Sequence, residues 1–257
     1  MTDEPADRRE TGSVSRRSLF KAAGAVGVAA TVPSPAPAQG VGTLPTPTPP
    51  AQPDPVQPDR IHFFLMPAEA AFLAAAVDRL IPPDETWPGA ASAGVTGYID
   101  RQLAGGYGQG ARMYLAGPWQ EGEPEQGYQL RYTPAEVFRI GIAATQRHVA
   151  DTYGGRAFED LAPELQDEVL TGLETGAVNF PELPAPIFFE TLLAKTVEGF
   201  FADPAYGGNR DMVGWRMIGY PGAYGQYAYL VENWGMAYER PPMSMAHSAF
   251  TRHDHDD

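Results

Sequence analysis

The residues best equipped for chemistry sit in one run, Tyr206-Gly207-Gly208-Asn209-Arg210-Asp211, with Trp215 and Tyr220 shortly after. An arginine next to an aspartate offers charge-assisted hydrogen bonds. Asparagine carries a donor and an acceptor in one side chain. Glycine opens backbone conformations closed to other residues. Two uses are compatible with this run. In one, Arg210, Asp211 and Glu190 line a cleft and the chain is a stand-alone exported enzyme. In the other, Asn209 or Asp211 caps a short helix through Trp215, and Arg210 pairs with a carboxylate to hold the loop. Glu190 falls at the edge of an aromatic stripe, where a charge needs a partner such as Arg210 or Arg216.

Other chemistries have little to stand on. Gly207-Gly208-Asn209 lacks the dinucleotide-binding spacing and follows a predicted helix rather than a strand. Neither a phosphate-binding loop nor a nucleophile elbow occurs. There is no cysteine. That excludes disulfides, covalently attached haem, cysteine-ligated clusters and thiol catalysis within this chain. None of the five histidines forms a His-x-x-x-His pair. His148 borders an apolar helical face and reads as a hydrogen-bonded core residue. His247, His253 and His255, among terminal aspartates, offer a weak divalent-metal site or simply a flexible tail. The expectation is therefore no catalytic residue, cofactor site or metal site in this chain.

The net charge is −14. Residues 1–38 hold five of the 18 basic and four of the 32 acidic groups, so the remainder carries 13 against 28, a net −15. Such a chain repels phosphate backbones, which sets nucleic acid aside, and it lacks a polybasic membrane patch.

The N-terminus reads as an export signal. Ser15-Arg16-Arg17-Ser18-Leu19-Phe20-Lys21 precedes a weakly apolar run, and Ala36-Pro37-Ala38 offers a small-residue cleavage site. The run, residues 22–32, is about half the roughly 20 residues needed to cross a bilayer. The layout is that of a twin-arginine signal with Arg16 and Arg17 at its centre; the bland alternative is a disordered basic N-terminus. Residues 39–60 form a proline-rich, disordered linker. A domain over 61–240 and a flexible tail over 241–257 complete the division.

The elements that must position the Asn209 run are helices. Pro67 opens the first, with Leu73, Ala76, Val77 and Leu80 on one face and Pro82-Pro83 as its stop. Val95–Ala104 is a shorter helix ending at Gly105-Gly106. Residues 105–131 read as a long loop. Thr133-Pro134-Ala135-Glu136 is a capping box with proline at the first helical position. Phe138, Ile142, Thr145 and Val149 follow at helical spacing up to Gly154-Gly155. A fourth helix covers 163–173. A fifth starts near Ala185 with Phe189, Leu193, Val197 and Phe200 on one stripe, ending before Asp203-Pro204. With no strand alternation, the fold class is mainly α: one helical domain with long Gly/Pro-rich loops.

The block from Thr196 through Tyr206-Gly207-Gly208-Asn209-Arg210-Asp211 and Gly214-Trp215 to Gly219-Tyr220-Pro221-Gly222 resembles the hallmark of the gluconate 2-dehydrogenase subunit 3 family. Asp78-Arg79-Leu80-Ile81-Pro82 and the twin-arginine leader are similar to it as well. The resemblance implies a non-catalytic small subunit of a membrane-bound, periplasm-facing sugar or sugar-acid dehydrogenase. It implies a glucose–methanol–choline-like large subunit holding FAD and a multihaem cytochrome c subunit that takes the electrons. The small subunit then supplies the twin-arginine translocase signal for a flavoprotein lacking one, and supports its maturation in a chaperone role. Tyr206, Asn209, Arg210, Asp211, Trp215 and Tyr220 become candidates for the partner interface or the support of its loop, with Trp215 either anchor or core. A periplasmic binding or assembly protein for another partner is the third reading.

Overall fold

The computed structural model describes residues 62–120, 122–123, 126–224, 235 and 239–245. Arg16, Arg17, the leader, the linker up to residue 60 and the tail from 246 lie outside these. Among the described residues there are six α-helices and no strand. They are α1 (Pro67–Leu80), α2 (Val95–Ala104), α3 (Pro134–Thr152), α4 (Pro163–Thr175), α5 (Ala185–Phe201) and α6 (Val213–Ile218). The expected mainly helical domain is what forms.

Helix ends are set by local chemistry. Thr133 Oγ1 accepts from Glu136 N at 3.3 Å and Glu136 Oε2 accepts from Thr133 N at 2.8 Å, closing the capping box of α3. Proline opens α1, α3 and α4 at the first helical position, where a missing N–H costs nothing. Gly154 and Gly155, both at positive φ, end α3. The described residues between 105 and 131 remain irregular as expected.

α5 is the central element and packs against all five other helices. Phe188 stands at the middle, 6.0 Å from Phe138 edge-on and 6.4 Å from Phe72, which meets Phe158 at 4.9 Å. Gly141 makes room for it: a Cβ there would lie 2.2 Å from the Phe188 ring. The buried face of α5 is Phe188, Phe189, Leu192, Thr196, Gly199 and Phe200. This rotates the predicted stripe. Val197 is exposed and Leu193 half-buried, because Gly199 and Thr196 let α5 approach more closely than larger residues would. At Gly199 an added Cβ would sit 2.7 Å from the Tyr98 ring of α2. His148, expected in the core, is half-buried.

Two attachments, the first of them buried, join the chain's outer segments to this core. Asp100 on α2, 2% exposed, accepts from the backbone N–H of Phe63, Phe64 and Leu65 at 2.7, 2.9 and 2.8 Å. At the other end, Met243 pairs with Gly222 and Pro221, and Met245 N donates to Asp203 at 2.8 Å. Residues 241–245 belong to the domain, held by a carboxylate some forty residues upstream in the chain.

Candidate functional site

Residues 202–212 form a connector that turns α5 into α6 through strained backbone. Gly207 (φ 100), Asn209 (φ 47), Asp211 (φ 56) and Met212 (φ 55) are all left-handed within six positions. For the three non-glycine residues this conformation costs about 1–2 kcal/mol each, so something nearby must hold it.

Asn209 holds it. The residue is fully buried; its Nδ2 donates to Ala202 O and its Oδ1 accepts from Gly214 N, both at 2.8 Å. Trp215 Nε1 donates to Phe201 O at 2.8 Å. Carbonyls at the end of α5 and an amide at the start of α6 are among the groups a helix cannot satisfy itself. Here the loop's own side chains satisfy them. The glycines allow the closeness: a Cβ on Gly208 would lie 2.1 Å from Gly199 O, and one on Gly214 2.3 Å from Phe200 O.

Arg210 fastens the connector to the turn before α2. Its N–H donates to Ala93 O at 2.8 Å, its Nη1 reaches Ser92 O at 3.4 Å, and its guanidinium lies beside Gly94. The expected carboxylate partner is thus replaced by backbone carbonyls. Asp211 is exposed and does not cap α6; Asn209 takes that role from four residues before the first helical position. Trp215, 6% exposed, packs on the core side, and Tyr220 meets it edge-on at 5.2 Å with its own ring half exposed. Tyr206 projects outward with 54% of its surface exposed.

Glu190 does not join this group. It is exposed on the second turn of α5. At 1.5 Å rise per residue, the helix carries it roughly 16 Å from the end where the connector begins. It pairs with neither Arg210 nor Arg216. The proposed cleft of Arg210, Asp211 and Glu190 is not assembled. Among the described residues no set of three His, Asp or Glu side chains is arranged to hold a metal ion, and no helix is long and apolar enough to cross a membrane. His247, His253 and His255 lie outside the described residues.

Asp203 was missed by the sequence reading. It accepts from Ala205 N at 2.9 Å, Ser244 Oγ at 2.6 Å and Met245 N at 2.8 Å. Burial acts to raise its carboxyl pKa, but the hydrogen bonds from Met245, Ser244 and Ala205 outweigh it and hold the pKa below the usual value. Its partners at 244–245 carry no local signal in the sequence. Asp100 was missed for the same reason.

A six-helix domain closed by a self-capping glycine–aromatic connector is the class of structure these residues define. The chain belongs to the gluconate 2-dehydrogenase subunit 3 family, whose model matches residues 67–222, from the first residue of α1 to the glycine paired with Met243. No curated protein and no solved structure matches it. The family is that of a subunit of a dehydrogenase complex, in association with other subunits.

Proposed function

We propose that this chain is the non-catalytic small subunit of a periplasmic, FAD-dependent sugar or sugar-acid dehydrogenase. In this reading its leader carries Arg16 and Arg17 to the twin-arginine translocase, and a folded, FAD-loaded glucose–methanol–choline-like subunit travels with it. A multihaem cytochrome subunit receives the electrons and places the complex at the membrane. Export in folded form suits a partner that must acquire its flavin in the cytoplasm.

The observation that carries the reading is how the hallmark connector spends its polar atoms. Asn209, Arg210 and Trp215 direct theirs to backbone groups of the same chain, while Tyr206 and Tyr220 are held facing outward. A site that turns over substrate aims its polar groups at the substrate; a site that presents a surface aims them at its own backbone. Family membership supports the same reading.

The test is export of the partner. With Arg16 and Arg17 both replaced by lysine, this chain and the flavoprotein should stay in the cytoplasm on cell fractionation. Arrival of the flavoprotein in the periplasm despite the double replacement removes the carrier role.

A further inference from the structure

The stretch that leads into the domain contains Pro50-Ala51-Gln52-Pro53 and Pro55-Val56-Gln57-Pro58, two Pro-x-x-Pro units within residues 49–60. Such units favour the polyproline II helix, a preformed ligand for surfaces lined with aromatic rings. The domain carries aromatic rings at the end where this stretch joins it.

Two helices fix the junction. Asp100 of α2 takes the backbone N–H groups of Phe63, Phe64 and Leu65. Arg139 of α3 donates to Phe64 O at 2.8 Å, and its guanidinium lies 4.2 Å from the centre of the Phe64 ring. From Asp100, α2 runs on to Ala104, roughly 6 Å further. From Arg139, α3 runs back to Pro134, roughly 8 Å. Both lead into one loop: Tyr107 follows α2, and Tyr132 stands just before the cap of α3. Ala135 N donates to Gly108 O at 3.1 Å, so the two ends of the loop are bonded together. The Tyr128 hydroxyl donates to Tyr132 O and adds a third ring. Gly122 N donates to Gln129, next to Tyr128, at 2.6 Å, which ties in the stretch after Trp119.

These rings are anchored on one side and open on the other. Tyr107 and Tyr132 pack in part against the core, and the Lys195 ammonium lies 3.9 Å from the centre of the Tyr107 ring. Tyr128 is 38% exposed and Trp119 43%. Rings already held in place lose little further freedom when a ligand packs on them.

Reach and attachment select the occupant. As polyproline II, residues 49–60 span roughly 37 Å, several times the 6–8 Å or so that separates the junction from the loop along either helix. A segment joined to the domain this closely acts at an effective concentration on the order of millimolar, enough to fill a weak site before any separate partner does. We propose that residues 49–60 lie in polyproline II form across Tyr107, Tyr128 and Tyr132, with Trp119 at the margin. The aromatic loop is then the seat of the chain's own proline segment, and the free tether between the leader and the domain is shortened. This holds whatever enzyme the chain serves.

The absence of cysteine makes a direct test possible. Asp54→Cys supplies the single thiol of the full chain for a nitroxide label, and paramagnetic broadening of amide resonances reports what lies near it. Broadening at Tyr107, Tyr128 and Tyr132 should exceed that at Ala68, Glu69 and Ala70, which also lie close to the junction, by about fivefold, the scale of a contact worth about 1 kcal/mol. Replacing Pro50, Pro53, Pro55 and Pro58 with serine should remove the difference, and Tyr128→Ala should reduce it. If Tyr128→Ala disturbs the loop, the serine variant decides, since its changes lie outside the helical domain. Equal broadening on all sides of the junction would overturn the proposal, as would a pattern unchanged by the serine replacements. Broadening that appears between labelled and unlabelled chains in a mixture would assign the surface to a second copy instead. Loop resonances that respond only when the catalytic subunit is added would assign it to that subunit. Either result would also overturn the proposal.

Discussion

The Oδ1 of Asn209 accepts a hydrogen bond from Gly214 N at 2.8 Å, and that bond fixes where α6 begins. Both halves of the carboxamide are occupied, because Nδ2 donates to Ala202 O. Aspartate preserves the shape but not the donor. Asn209→Asp should cost about 1–3 kcal/mol, read in a thermal melt as a Tm lower by roughly 2–10 °C for a domain of this size. An unchanged Tm would show that the connector does not depend on the carboxamide.

Asp100 holds the entrance to the domain through three backbone amides. Hydrogen bonds to a charged acceptor are worth about 1.5–3 kcal/mol each, and buried donors left alone are costly. Asp100→Ala should lower stability by about 3 kcal/mol or more, with Asp100→Asn intermediate. Amide exchange at Phe63, Phe64 and Leu65 should accelerate well before the helices respond. Exchange at these amides that keeps pace with α1 in the alanine variant would argue against the attachment.

Asp203 makes the attachment of residues 241–245 sensitive to acid. Its folded pKa lies below the unfolded value, so its contribution is complete above the ordinary carboxyl pKa and is lost as pH falls through the lower folded value. Protection of the Met245 amide should therefore drop in strongly acidic solution, and Asp203→Asn should remove that step. Protection insensitive to pH in wild type would contradict the role.

Tyr107 gives the opposite sign. Burial, more than the nearby Glu198 charge, raises its phenol to about 12. The folded state then keeps a proton that the unfolded state releases near pH 10. Its stabilisation is complete below about pH 10 and disappears as pH climbs towards about 12. Phenolate absorption should show this late titration, and Tyr107→Phe should reduce it by one phenol, leaving those of Tyr98 and Tyr128, which are raised as well.

The mature chain purified alone should show neither flavin nor haem absorption, and no dehydrogenase activity with sugars and an artificial acceptor. A stoichiometric flavin spectrum would end the proposed division of labour.

What the sequence determined by itself was local. The start of α3 is written in Thr133, Pro134 and Glu136, and the limits of α1 and α2 in Pro67, Pro82-Pro83 and Gly105, because a helix end is satisfied by groups within about four residues. The glycine–aromatic run also marked the family on its own. Tertiary structure decided which groups those elements would meet. It turned Thr196 and Gly199 of α5 inward and Val197 outward, since the closest approach to α2 runs through the small residues. Glu190 was left at the far end of the helix from Arg210, while Asn209 rather than Asp211 became the cap of α6. Asp100 and Asp203 found partners 35 to 42 positions away along the chain. A carboxylate takes whatever donors the packed elements bring to it, and no spacing in the sequence announces those donors.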